Sequence, residues 1–293
     1  MDVIGDVAAV GKNVEGWQKG DRVAAFVNTG GNARYIVVPS NVLVPVPRVL
    51  DAAEAVCMVS TYMTAWQSLQ LILGDEKSLS GKRILIVGGI DPVCQALIQL
   101  SNRAGAEKVY CTAPGNKHKY VKSVLGAKPL PMRPDEWLPL VEGKMDVVYD
   151  QACQDGFDSS KKALDQHGTL VCVGMYAMLK SQTVGIFGAS LSAYWTKAKA
   201  KYFMSNTKFY QVHTSFRKDP ETFKKDLEHL FQLLRKREIK PHIAKRVALA
   251  DVPEAQSYLE AGRARGAIVC FPWRRRKTNL EKEKEKSKDN ERE

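Results

Sequence analysis

The chain has 293 residues, 44% of them apolar and 26% charged, with 21 Gly and 13 Pro. This excludes a collagen-like, wholly disordered or small disulfide-scaffold chain, and the length suits two modest domains or one large α/β unit. Lys and Arg outnumber Asp and Glu by 44 to 32, a net +12 of which residues 274–293 supply +3, so the basic body favours anionic ligands such as nucleotide phosphates.

The opening MDVIGDVAAVG has no basic cluster ahead of an apolar core and does not read as a signal peptide. From Met1 to about Pro47 the apolar runs are short: Val7–Val10, Arg22–Val27, Tyr35–Pro39 and Val42–Val44, punctuated by Gly11, Gly16, Gly20 and Gly30-Gly31. That pattern predicts short strands. The period turns helical over Ala52–Leu73.

Arg83–Val87 (RILIV) then reads as a strand buried on both faces. It is followed by the loop Gly88-Gly89-Ile90-Asp91-Pro92 and a helix over Val93–Ala104, with Val93, Ala96, Leu97 and Leu100 on one face. Strands follow at Lys108–Cys111, Asp146–Asp150 and Thr169–Gly174, with helices between them, one near Lys117–Leu125. Alternation at this spacing predicts an α/β, Rossmann-type doubly wound parallel sheet, its ligand crevice at the carboxyl ends of the strands.

Further on, a strand is expected around Phe209–His213 and an amphipathic helix over Pro220–Arg237. A second helix over Ala250–Ala261 is opened by Asp251 with Glu254 three residues on, close to a capping box, and a strand closes the fold at Ala267–Phe271. No apolar run approaches the roughly 20 residues of a membrane helix. The tail from Arg274, an Arg/Lys run and then a Glu/Lys alternation with one Leu and no aromatic residue, is expected to be a solvated or disordered segment, or else a basic patch for nucleic acid or targeting.

Strand 83–87, the glycine loop and the helix after it make the geometry of a diphosphate site, in which glycines admit the phosphate and the helix N-terminus donates amides. The six cysteines (57, 94, 111, 153, 172 and 270) lie 17 to 98 residues apart, with no CxxC and no Cys–His pair at ligand spacing. That speaks against structural zinc and for a reduced, cytoplasmic chain.

Three regions together resemble a known family. Val3–Val23, with Asp2, Gly11 and Gly20-Asp21-Arg22-Val23, resembles the GroES-like domain of medium-chain dehydrogenase/reductases. Gly30-Gly31-Asn32-Ala33-Arg34-Tyr35 and Thr61-Tyr62-Met63-Thr64-Ala65-Trp66-Gln67 are similar to the zinc-free quinone oxidoreductase branch. Ile239-Lys240-Pro241, Glu254-Ala255, Gly262–Gly266 and Ile268-Val269 match its closing segment.

The resemblance implies a partial GroES-like domain over 1–70, a Rossmann domain over 71–240, a return segment over 241–273 and the charged tail over 274–293. It implies an enoyl-reductase-type activity: hydride transfer to a small quinone or α,β-unsaturated carbonyl without zinc, by a homodimer joined near 183–212, with no membrane or specific nucleic-acid partner. A catalytically weak relative serving as a binding or scaffold protein is the alternative. Relatives begin well upstream of Met1, so the chain is expected to lack part of the small domain.

The resemblance places Gly88, Gly89, Asp91, Pro92, Val93 and Cys94 around the diphosphate, Cys153 and Gly174 beside the cofactor, Thr64 near the nicotinamide and Tyr62 in the substrate cleft. Tyr62 is otherwise a half-buried helix aromatic. Relatives carry glycine where Asp91, Pro92, Cys94 and Cys153 stand, so weaker cofactor binding is expected. Arg34 and Ala267 replace a usual Glu and Lys.

After the second strand an NAD site wants an acid. Here Thr112-Ala113-Pro114-Gly115-Asn116-Lys117-His118-Lys119-Tyr120 has none, which points to NADPH, with Lys117 or Lys119 on the 2′-phosphate and Thr112 and Tyr120 near the adenosine. The alternative is a solvated helix start. Residues 1–56 contain neither Cys nor His, so no metal ligand is expected there. His213 is the one histidine weighed for the pocket. The aromatic and Lys alternation over 194–210 reads as a segment covering the cleft or a subunit edge, or as an RNA-binding mimic.

Overall fold

A computed structural model describes residues 2–27, 29–74, 78–173, 205–261 and 264–275. Gly174, residues 183–204 of the expected dimer region (183–212), with Tyr194, Trp195, Tyr202 and Phe203, and likewise Gly262-Arg263 and the tail from 276, lie outside the described residues.

The N-terminal part is an antiparallel sheet of β1 (Asp2–Asp6), β2 (Arg22–Phe26) and β3 (Val44–Pro45). β1 pairs with β2 from Asp2 opposite Phe26 to Asp6 opposite Arg22. The first strand therefore precedes the expected Val7–Val10, and Tyr35–Pro39 is an irregular connection rather than a strand. The run 52–73 divides into α1 (Ala52–Cys57), a π-helical turn over Met58–Tyr62 and α2 (Met63–Leu73).

Six parallel strands follow: β4 (Arg83–Val87), β5 (Lys108–Thr112), β6 (Lys128–Leu130), β7 (Met145–Asp150), β8 (Leu164–Cys172) and β9 (Thr207–Phe209). Their order in the sheet is β6-β5-β4-β7-β8-β9, the 3-2-1-4-5-6 order of a doubly wound dinucleotide fold. Because strand side chains alternate faces, Ile84 and Ile86 enter one core layer and Leu85 and Val87 the other. On the first face pack α2, α3 (Pro92–Arg103) and α8 (Pro220–Arg235), through Leu69, Leu97, Leu100, Leu227 and Phe231. Trp137 of α5 (Pro134–Val141) and Phe157 cover the other face.

Between β5 and β6 lies α4 (His118–Ser123), and α6 (Asp158–Ala163) precedes β8. His213 stands in the helix α7 (Val212–Lys218), not in a strand, and its ring lies 4.9 Å from Phe26. Strand β10 (Ile243–Ala248) pairs in parallel with β11 (Ala267–Phe271), with α9 (Val252–Glu260) between them. The expected capping box does not form as read, since Asp251 makes no side-chain cap hydrogen bond to α9.

Glutamines tie the layers together. Gln99 on α3 donates to the Lys240 carbonyl at 2.9 Å and accepts the Lys240 amide at 2.9 Å. One turn earlier Gln95 donates to the carbonyls of Ile90 (2.7 Å) and Arg265 (3.0 Å). Both are satisfied polar groups holding the C-terminal segment against the first crossover helix. On α2, Gln67 donates to Asp226 at 2.6 Å while its carbonyl accepts from Tyr210 (2.8 Å) and Ser215 (2.7 Å).

Candidate functional site

Strand order reverses between β4 and β7, so the crevice expected to take a ligand opens where those strands end. Its walls are Gly88-Gly89 after β4, Asp150 and Gln151 at the end of β7, and the first turn of α3. Val87 pairs with Asp150, and the Gln151 amide donates to the Val87 carbonyl at 2.9 Å.

The two glycines have left-handed backbone, φ +153° at Gly88 and +81° at Gly89. A Cβ on Gly88 would stand 2.9 Å from the Cys94 sulfur and 3.2 Å from Gln151 Cβ. Position 88 therefore requires glycine twice over, by conformation and by space. The Gly88 amide is already used, donating to Thr112 Oγ1 at 3.2 Å, so Thr112 holds the loop from within rather than standing open to an adenosine.

Asp91 is the N-cap of α3, with Pro92 in the first turn. Its Oδ1 accepts the Cys94 amide at 2.9 Å, and its carbonyl accepts the Gln95 amide at 3.0 Å. Burial pushes the Asp91 carboxyl up to about 6, against the opposing pull of the Cys94 and Val93 amides. Pro92 has no N–H to give. Cys94 is fully buried, its sulfur 3.3 Å from Gln151 Oε1, and burial raises its thiol well above the ordinary range.

At the end of β7, Asp150 accepts the amides of Ala152 (2.9 Å) and Cys153 (2.8 Å) and the Ser160 hydroxyl (2.6 Å). Burial pushes its carboxyl up to about 6, with those three donors pulling the other way. Cys153 is buried with φ +50°, a conformation that glycine adopts without strain. Burial lifts its thiol to about 12, so it is not a thiolate nucleophile.

Beyond β5, Lys117 is 7% exposed while Lys119 is exposed, so of the two lysines only Lys119 faces solvent. The Tyr120 hydroxyl donates to Gln95 at 3.0 Å, and its ring lies 5.9 Å from that of His242. Tyr62 is 2% exposed, its hydroxyl donating to Gln99 at 3.1 Å, and Thr64 is half-buried. Tyr62, Cys57, Thr61, Pro92, Gln95 and His242 border a small crevice between α1–α2 and α3.

A dinucleotide in this fold would rest its diphosphate on the first turn of the helix after β4. The residues there do not fit the group: Pro92 lacks a donor, the Cys94 amide is taken, and the cap is an acidic side chain. At the adenosine end they do fit, with no carboxylate after β5 and an exposed lysine at 119. Among the described residues no three His, Cys, Asp or Glu side chains stand together as a metal site, and no helix is long and apolar enough to cross a membrane.

Sequence reading missed the clamp formed by Gln95 and Gln99 and the part of Gln151, because a glutamine has no signature apart from its partners. The Asp91 cap does have one: Asp followed by Pro at the start of a helix is a cap and first-turn signal.

Comparison with known proteins agrees with this architecture. Residues 1–48 match the alcohol dehydrogenase GroES-like domain and residues 125–270 match the family described as zinc-binding dehydrogenase. The 2-methylene-furan-3-one reductase of Solanum lycopersicum is 30% identical over 92% of this chain and 62% of its own length. The chloroplastic quinone-oxidoreductase QR1 of Triphysaria versicolor is 26% identical over 92% of this chain and 78% of its own. Among solved structures, human synaptic vesicle membrane protein VAT-1 homolog-like protein superposes with a TM-score of 0.72 at 21% identity, covering 94% of this chain and 79% of that one. The chain spans about six-tenths of the length of the Solanum reductase and of other curated relatives. By these matches the chain belongs to the medium-chain dehydrogenase/reductase superfamily, in its quinone oxidoreductase-like branch.

Proposed function

We propose that the chain is a reductase of small quinones or α,β-unsaturated carbonyls that works without zinc and takes NADPH in preference to NADH, with low affinity. The observation that carries the reading is the glycine pair at the β4/β7 switch point combined with a cationic, acid-free segment after β5. The fold supports a dinucleotide ligand, and the charge at that segment supports the preference, since a 2′-phosphate would gain from Lys119 what a bare ribose does not. Zinc independence is supported by residues 1–56, which contain neither Cys nor His. The printed names of the Solanum and Triphysaria relatives agree with the substrate class.

Low affinity follows from the first turn of α3. The same observation favours a second reading, in which the fold serves as a binding or scaffold protein. The two separate in one assay: the purified chain, incubated with NADPH and a panel of 1,4-quinones and 2-enones, is followed by loss of reduced-nicotinamide absorbance. Turnover above the no-protein rate that is lost in Lys119→Glu supports the reductase. Absence of turnover across the panel at millimolar NADPH would leave the scaffold reading.

A further inference from the structure

We propose that the diphosphate seat of this chain is filled by its own Asp91 carboxylate, so that a dinucleotide enters only by displacing it and draws its affinity from the adenosine end. This rests on the NADPH reading above and adds how that nucleotide is held.

Four observations converge on the seat. The Asp91 carboxylate lies within the helical turn where an anionic ligand would lie, its Oδ1 on the Cys94 amide at 2.9 Å. Of the other early amides, Pro92 has none, that of Val93 also pulls on the Asp91 carboxylate, and that of Gln95 bonds the Asp91 carbonyl. Behind the carboxylate, the Gly88 amide is committed to Thr112. The Cys94 sulfur and Gln151 fill the space over Gly88.

A helix N-terminus attracts one anion well, and an internal carboxylate competes with an external phosphate for the same donors. Among the described residues, two titratable groups that feel the Asp91 charge are the thiols of Cys94, on its own helix, and Cys111, on β5, the latter with its sulfur 3.3 Å from the Gly89 carbonyl, and neither is a cation. At the other end, the segment after β5 carries exposed Lys119 and no acid. The affinity is therefore placed at the 2′-phosphoadenosine and withheld from the diphosphate.

The test compares NADP+ with adenosine 2′-monophosphate, which shares the 2′-phosphate end but carries no 5′-phosphate, by calorimetry on the full chain and on Asp91→Asn. Asparagine caps a helix about as well as aspartate, so folding is retained, and a thermal melt checks it. Asp91→Gly serves as a second variant that frees the amides.

The expected result is that the wild-type chain binds the two ligands within about tenfold of each other. Asp91→Asn should tighten NADP+ by about tenfold or more through loss of charge repulsion and leave the 2′-monophosphate unchanged. If the variants bind the 2′-monophosphate but show no gain for NADP+, or if wild type binds NADP+ more than about a hundredfold tighter than the 2′-monophosphate, the proposal is overturned and the nucleotide reading stands. If no form binds either ligand at millimolar concentration, the NADPH reading fails and this proposal fails with it.

Discussion

Asp91 Oδ1 accepts the backbone N–H of Cys94 at 2.9 Å, across the first turn of the helix that follows the glycine loop. One residue thereby caps α3 and occupies the electropositive end that the fold otherwise offers to a ligand. Stability and binding are opposed at this position: a substitution that frees the amides for phosphate also weakens the helix start, by about 1 kcal/mol for loss of a cap.

Gly88→Ala tests how tightly the loop is packed. The added Cβ meets the Cys94 sulfur and Gln151 Cβ at a left-handed backbone position. We expect a loss of roughly 2–4 kcal/mol in denaturant unfolding, from strain and overpacking together. An unchanged unfolding midpoint would mean that the loop relaxes freely and is not the rigid feature described here.

Asp91 and Asp150 give stability a definite pH dependence. Each folded-state carboxyl sits at about 6, against roughly 3.9 in an unfolded chain. Between those values the folded state holds protons that the unfolded state has lost, so stability falls as pH rises. The contribution is complete below about pH 4 and gone above about pH 6, of order 2 kcal/mol per group. The exposed carboxylates of Asp135, Asp219 and Glu238 shift the other way but are screened by solvent. Burial raises Asp2 as well, while it lowers His229 and His242, whose contribution rises with pH and opposes the fall. Asp91→Asn should therefore show a smaller fall, or a larger rise, of the urea midpoint between pH 5 and pH 7 than the wild-type chain. The same pH profile in variant and wild type would contradict the assignment.

How much of this was legible in the sequence depends on the kind of signal. The strands around 84–87, 147–149 and 267–271 announce themselves as uninterrupted apolar runs. The three-residue β6 and the polar β10, with Lys245 and Arg246 inside it, do not. β1 was displaced because the apolar string Val7–Val10 outweighs Asp2–Asp6 by composition, whereas register opposite Phe26 decides the pairing. At the site, Gly88 and Gly89 were legible as a loop. The fate of each amide was not, because it depends on Thr112 and Asp91 reaching in from different directions.

Gln67 offers a test of the packing that joins α2 to the C-terminal helices. Its amide contacts Asp226, Tyr210 and Ser215 at once. Gln67→Ala leaves buried partners unsatisfied and should cost about 2–4 kcal/mol. Gln67→Glu, which sets a second carboxylate beside Asp226, should cost more above pH 5 than below it. Equal losses for the two variants at pH 7 would show that only the volume matters.

Tyr62→Phe separates two roles for a residue of the crevice. If its hydroxyl serves only Gln99, the loss is about 1 kcal/mol of stability with turnover unchanged. A fall in turnover without a fall in stability would place the hydroxyl against the substrate.

The most direct test of the central claim is a calorimetric titration of the full chain with NADPH and, separately, NADH at moderate salt, repeated with Lys119→Ala. The account predicts weak but measurable NADPH binding, at least about tenfold weaker NADH binding, and a loss of most of that difference in the variant, the size expected for one charged contact. Equal affinity for the two cofactors, or NADPH binding untouched by Lys119→Ala, would contradict it.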